Sequence, residues 1–592
     1  MRTVLIILLL CLVSPSPAAA RTNADKAFEQ LADSFITDLP AFSPVNATLL
    51  GDHSADDELD QVDATARRKR HALYEDYRDR LGSIDFDALS RPNQIDAELL
   101  RNEIESNLWA NETLQEWAWN PLVYVGTSGS AIYGLLARDF APIATRLKNA
   151  TARLEQMPRF FEQARAQLQP DRVPKIHAET AVKQNQGLIA IIDNRIVPHL
   201  DTLDIESRAR MLAAIETAKD AVAIHQTWLE EELLPRAGGN FRIGEAFYDV
   251  KLGFTLNSPL TRREIRSRAE NEYIAVRNAM YEVSRKIYSG IHPFDSFPDQ
   301  PNESFKQAII RAALEQAYSN RPERGGIVQL AKESLSYATD FVREHNIVTV
   351  PDEPLEIIVM PEFQRGVTLA YLDPPGALDR GQSSFYAVAP LPTSWTDVQV
   401  ESFLREYNLL SVHNLTIHEA MPGHYLQLAL SNRYPSLLRA ILYSGPFVEG
   451  WAVYTERVMV NAGYLDGDPL MHLIQLKWYL RAVTNAIMDQ AIHVDGMSRD
   501  AAMKLMIEGG FQEEREAAGK WVRAQLTSTQ LSTYFVGYQE HMDMRAAVER
   551  AWAGEFTLRR YHDQALSYGS PSVKYVRALI LDEPIPRQDR IN

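Results

Sequence analysis

The chain of 592 residues contains one cysteine, Cys11. It lies in the N-terminal stretch MRTVLIILLLCLVSPSPAAARTN, where one arginine precedes an apolar run that ends in Ala18-Ala19-Ala20. That is the layout of a secretory leader, so residues 1–20 are expected to be removed and the mature chain to begin near Arg21. Lipid attachment at Cys11 would call for a small residue just before it, and Leu10 is not small. With Cys11 gone there is no disulfide, thiol nucleophile or cysteine-based zinc site. Any bound metal then falls to His, Asp or Glu.

Basic residues are also in deficit, 61 Lys and Arg against 78 Asp and Glu, for a net charge of −17 that becomes −18 when Arg2 leaves with the leader. An acidic surface is a poor partner for nucleic acid or anionic lipid. No later apolar run reaches the roughly 18 residues that a membrane span needs, so a secreted or periplasmic location without a membrane span is expected. Glycine-rich phosphate loops are missing, and GTSGS lacks the spacing of a nucleophile elbow. These absences argue against nucleotide enzymes and serine hydrolases.

What is present is mostly helical patterning. From Thr22 to about Glu344, segments such as ATRLKNATARLEQMPRFFEQARAQL repeat apolar residues at three- and four-residue steps, the signature of long amphipathic helices. Breaks are expected at WNPLVYVGTSGS and SGIHPFDSFPDQPNES, where Pro, Gly, Asn and Ser cluster. Between Asn346 and Thr393, β-branched and aromatic runs (IVTVPDEPLEIIVMPEF, GVTLAYLDPPG, SSFYAVAPL) predict a small sheet, and helical periodicity returns from Val400. A mature chain of about 570 residues exceeds what one core usually supports. The division expected is a helical N-terminal lobe over 21–345 and a small sheet plus helical catalytic lobe over 346–592, giving a mainly α protein.

The chemistry concentrates in NLTIHEAMPGHYLQ, where His418, Glu419 and His424 keep the order of the zinc-binding pattern H-E-x-x-H with two additional residues between the histidines. On a straight helix six positions rotate by about 600°, leaving the two imidazoles roughly 120° apart and unable to share an ion. Pro422 alters this, because its ring clashes with the carbonyl four residues earlier, that of His418, and Gly423 can adopt whatever φ the distorted turn requires. The AMPG interruption is therefore expected to swing His424 back beside His418. The bland alternative is two unrelated histidines at a helix end. Against it, three of the 14 histidines fall between positions 413 and 424, and His-Glu stands in an apolar run. His413 is not expected to be a ligand.

An acid must complete the set. In SGPFVEGWAVYTERV, Glu449 and Glu456 are seven apart and lie nearly on one helix face. Glu449 as third ligand, with Glu456 steadying a histidine, is the preferred assignment, and the reverse stays open. Two histidines and a glutamate leave a coordination position for water, the catalytic rather than the structural zinc pattern. Glu419 then serves as general base. The expected cofactor is Zn2+ and the expected chemistry is hydrolysis.

The motifs HEAMPGHYLQ, EGWAVYTE and AYLDPPG…FYAVAP, with WAWNPLVY near the start and FTLRRYHDQALSYGSPSV near the end, resemble the mostly bacterial family catalogued as domain of unknown function 885. That family looks like a distant relative of Glu-liganded zinc metallopeptidases. The resemblance covers nearly the whole mature chain and implies a helical body with a small sheet beside the active-site helix. It also implies a zinc-dependent peptidase or amidase. By similarity to related peptidases, SSFYAVAPL would be an edge strand whose Phe385, Tyr386 and Ala387 pair with an extended substrate.

One segment departs from the family pattern: Arg523, Gln530, Tyr534 and Gly537 are retained, but the Pro-Gly turn between them is lost. Tyr534 is the candidate donor to the oxyanion, with Tyr538 and His493 next and a simple core tyrosine as the alternative. Asp489, His493 and Arg545 also match the family and could equally be polar groups satisfied within the core. The leading expectation is a secreted zinc peptidase acting on short peptides. A zinc amidase acting on a non-peptide amide and a non-catalytic binding protein of the same fold are the alternatives.

Overall fold

The computed structural model describes residues 22–293, 296–360, 370–392 and 395–587. Residues 1–20, expected to be a leader, and residues 361–369 of the strand-rich region lie outside these described residues. The described chain is mainly helical with one three-stranded sheet. None of its helices is long and apolar enough to cross a membrane.

In the N-terminal part, α1 (Pro44–Leu50), α2 (Leu122–Leu136), α3 (Ile143–Glu155) and α4 (Ile205–Trp228) share an apolar cluster running from Val45 to Leu233. Helix α1 starts where the Ser43 hydroxyl accepts from Asn46 N–H and stops at Gly51, whose φ of 91° ends the turn. The break expected at WNPLVYVGTSGS is confined to Asn120-Pro121, since GTSGS is inside α2. The Thr127 and Ser128 hydroxyls bond back to the carbonyls of Val123 and Val125, so these residues do not have to leave the helix to be satisfied.

Two further helices, α5 (Arg262–Ile291), opened by a Thr261/Glu264 capping box, and α6 (Ile327–Glu344), belong to the largest apolar cluster. It joins residues Tyr248–Val348 to Ala370–Val576. Apolar packing therefore crosses the division expected at residue 345, because α5 and α6 bury their stripes against the C-terminal helices rather than among themselves.

The sheet comprises β1 (Leu355–Val359), β2 (Ala370–Asp373) and β3 (Ser384–Val388) in the order β1-β3-β2, with β1 parallel and β2 antiparallel to β3. This corrects the reading of Phe385, Tyr386 and Ala387 as edge residues. They occupy the central strand, with main-chain partners on both sides. Their near-continuous burial is what a central strand requires.

After the sheet come α7 (Leu409–Glu419), α8 (His424–Ser431), α9 (Gly445–Asn461), α10 (Pro469–His493), α11 (Glu514–Leu526) and α12 (Thr533–Trp552). Helices α9 and α12 cross glycine on glycine. A Cβ on Gly450 would lie 2.2 Å from the carbonyl carbon of Gly537, and one on Gly537 would lie 2.0 Å from Pro446 O. That approach places the start of α12 beside the helix that carries Glu449.

Candidate metal centre and its cavity

Helix α7 begins with the Asn408 side chain accepting from Ser411 N–H and ends at Glu419, and α8 begins at His424. The Met421-Pro422 peptide between them is cis. The turn is fixed from α9, where Trp451 Nε1 donates to Pro422 O at 2.8 Å. Glycine is required at 423 for a reason other than φ, which is −75°. A Cβ there would lie 1.9 Å from the His418 carbonyl oxygen and 2.3 Å from that of Ile417. The interruption thus doubles the chain back on the end of α7 and brings the two imidazoles together, with centroids 4.7 Å apart.

Glu449, near the start of α9, completes the cluster: one ligand atom each from His418, His424 and Glu449 lie within 4.8 Å of one another. Glu449 Oε2 is 3.6 Å from His418 Nε2 and 3.4 Å from His424 Nε2, long for charge-assisted hydrogen bonds. It is buried without a hydrogen-bond partner among the described residues. Leaving such an atom unpaired is costly, and a cation held by the three groups would satisfy it. Glu456, two turns further along α9, accepts from His418 Nδ1 at 2.8 Å, which fixes the tautomer and leaves Nε2 as the free donor of an electron pair. The donor set therefore fits a divalent metal such as zinc.

The electrostatics agree with the geometry. Burial lowers the proton affinity of His418, but the Glu449 and Glu456 carboxylates beside it outweigh this and push its pKa up to about 10. Burial raises the Glu449 carboxyl, yet the two histidines hold it well below the usual carboxylate range. Without an ion the cluster resembles a trapped imidazolium-carboxylate set. Glu419 differs: burial raises its pKa against the pull of His418 and His424, as suits a group that must take a proton. Leu372 N–H of β2 donates to Glu419 Oε2 at 3.0 Å.

All four side chains line a cavity of about 750 Å³ shared with Ala370, Tyr371 and Leu372 of β2, Asn46 and Leu49 of α1, and Arg523, Gln530 and Tyr534. The Tyr534 ring lies 6.5 Å from that of His418. Its hydroxyl accepts from Arg523 Nη2 at 3.0 Å and from Gln530 Nε2 at 3.3 Å. Burial and the Glu449 charge raise its pKa, with Arg523 opposing. The phenol therefore keeps its proton.

Other candidates sit elsewhere. Phe385, Tyr386 and Ala387 do not line the cavity; Tyr386 is fully buried, with its hydroxyl 3.3 Å from Thr416 Oγ1 behind α7. His413 Nδ1 meets the Tyr464 hydroxyl. Tyr538 packs on Tyr479, and Arg545 meets Glu549 and Tyr454. Asp489 accepts from Tyr248 Oη and Ser532 Oγ, while His493 Nε2 lies 2.9 and 2.8 Å from the carbonyls of Ala524 and Thr527. These last two residues brace the segment before Tyr534 rather than entering the cavity. Missed in the sequence were the Leu372 amide, which carries no side-chain signal, and the wall supplied by α1 from more than 350 residues away.

A mainly helical protein with a partly buried two-histidine, one-glutamate cluster lining a cavity is the class that fold and site define. Residues 44–580 match the family described as "Bacterial protein of unknown function (DUF885)", and the chain belongs to that family. A solved structure described as a "putative lipoprotein of unknown function" from Shewanella oneidensis is 32% identical, with a TM-score of 0.78, over 94% of this chain and 99% of that one. A second, the "putative lipoprotein" from Colwellia psychrerythraea, shares the fold at 16% identity, with a TM-score of 0.76, over 94% of this chain and 100% of that one. No curated protein matches the chain.

Proposed function

We propose that this protein is an extracytoplasmic zinc-dependent hydrolase that cleaves amide bonds of short peptides. The observation that carries the reading is the placement of Glu419 on the same cavity as the His418, His424 and Glu449 donor set, with one carboxylate oxygen held by Leu372 N–H. Bound there, a zinc ion would supply Lewis acidity to polarise the scissile carbonyl and activate water.

The chain's own groups do the rest. Glu419, anchored through Oε2, uses its other oxygen to accept a proton from the attacking water and return it to the leaving amine. Glu456 holds the His418 ring in place. Tyr534 accepts two hydrogen bonds and so directs its own proton to the developing oxyanion. Residues of β2 line the cavity beside Glu419, and a strand in that wall favours an extended peptide over a non-peptide amide. The description of both similar structures as lipoproteins supports a location outside the cytoplasm.

The test is digestion of a peptide library with and without chelator, read by mass spectrometry, for the wild type and for Glu419→Gln. Chelator-sensitive cleavage is expected for the wild type. The variant should keep its zinc and lose turnover by about 100- to 10,000-fold. Near-normal cleavage by Glu419→Gln would end the proposed mechanism.

A further inference from the structure

Arg523 has no ion-pair partner among the described residues, although Glu449 and Glu516 act on its charge from a distance. Of its five N–H groups, the two on Nη2 go to Gln530 Oε1 and Tyr534 Oη, at 2.9 and 3.0 Å. Nη1 and Nε have no hydrogen-bond partner among the described residues, and no carboxylate forms an ion pair with the guanidinium there. The nearby acids are committed elsewhere: Glu516 pairs with Arg481 and accepts from the Tyr407 hydroxyl, and Glu449 faces the two histidines. Arginine cannot shed its proton, so a half-buried guanidinium that lines a cavity with no ion-pair partner suits an anionic ligand. Its planar fork matches a carboxylate in a bidentate arrangement.

The location narrows what that anion is. Arg523 lines the same cavity as the metal cluster and Glu419, and it is tied through a single hydrogen bond to Tyr534, whose ring lies 6.5 Å from His418. On another side of the cavity, the end of α1 meets the loop after β2, with Leu378 N–H donating to Leu50 O at 2.8 Å. A free carboxylate seated on Arg523 would therefore belong to a molecule held close to the reacting centre, in a space suited to a few residues.

We infer that Arg523 binds the C-terminal carboxylate of a short peptide, so that the enzyme acts near the carboxyl end of free-acid substrates and not within long chains. This rests on the hydrolase reading but adds the substrate class. The alternative role for Arg523, polarising Tyr534 and nothing more, would affect turnover without any preference for free acids.

The experiment enriches an equimolar tripeptide library, prepared both as free acids and as C-terminal amides, on immobilised zinc-loaded Glu419→Gln protein. The free acids should be retained roughly tenfold or more over the matching amides, the size expected for hydrogen bonds to a charged group. Arg523→Gln in that background should abolish the preference, and Arg523→Lys, which keeps charge but not the fork, should retain part of it. Circular dichroism on each variant identifies any that fail to fold. Equal retention of acids and amides, retention of neither, or a preference that survives in a folded Arg523→Gln variant would overturn the inference. Whether the wild type cleaves the library in a chelator-sensitive way is read separately, so loss of the hydrolase reading and loss of the carboxylate site give different results.

Discussion

The two walls of the cavity are built in different ways. The metal wall draws His418, Glu419 and His424 from one interrupted helix, and Glu449 and Glu456 from the next long one. Within this small group Glu456 steadies His418. The wall of Arg523, Gln530 and Tyr534 comes from the end of α11, a connecting segment and the start of α12. That segment is supported from outside, by His493 near the carbonyls of Ala524 and Thr527 and by Ser532 Oγ on Asp489. The first wall is fixed by local geometry and can keep its chemistry while the second varies. In the proposed hydrolase, specificity would therefore belong with the second wall.

Breaking the metal wall should give the largest effect. The double substitution His418→Ala, His424→Ala removes two of three donors and leaves half-buried Glu449 without the two histidines. Zinc content measured by elemental analysis should fall from about one per chain to background, and hydrolysis should vanish with it. Full zinc in the double variant would sink the ligand assignment.

Breaking the second wall should cost less and should separate chemistry from binding. Tyr534→Phe removes the proton that the phenol directs into the cavity while leaving the ring against its neighbours. The loss of one oxyanion donor lowers kcat by roughly 100-fold or more with little change in KM. A core defect would instead lower the melting temperature and leave the folded enzyme active. Normal kcat in Tyr534→Phe would move the donor elsewhere.

The difference between the walls also explains how much the sequence disclosed. The metal wall was legible because its residues are close in the chain, and the helix repeat decides which can meet: Glu449 and Glu456 share a face, while His418 and His424 can meet only if the helix is interrupted. The mainly α body was legible for the same reason of local periodicity. What failed were questions of neighbourhood. SSFYAVAPL reads as a strand, but whether a strand lies at an edge depends on partners that its own residues do not name, and here β1 and β2 flank it. The Leu372 amide on Glu419 and the Asn46 wall depend on tertiary packing. The GTSGS stretch misled because hydroxyls that bond their own helix look, in one dimension, like a loop.

The smallest effect sharpens the comparison by testing the outside support of the second wall. Asp489 is fully buried on α10, with Tyr248 Oη and Ser532 Oγ on one carboxylate oxygen and no partner among the described residues on the other. Burial pushes its pKa up to about 7, against the smaller pull of Tyr248, Lys251 and Ser532. A carboxyl whose folded pKa lies above its unfolded value holds its proton more tightly when folded. Its contribution to stability is therefore most favourable at about pH 4 and is lost as pH rises through about 7. Each tenfold change in proton affinity is worth about 1.4 kcal/mol, so the loss across that window is on the order of 4 kcal/mol from this one group. Asp489→Asn keeps the shape and an acceptor for Tyr248 and Ser532 but does not titrate. The variant should melt at a higher temperature than the wild type at pH 8, by a few degrees for a chain of this size, and the difference should shrink toward pH 4. Zinc content should be unchanged, because the metal wall does not lean on α10 at this position. If the variant instead melts lower at pH 8, the charged carboxylate is stabilising, and the segment before Tyr534 is held by an ion pair with Lys251 rather than by a neutral acid.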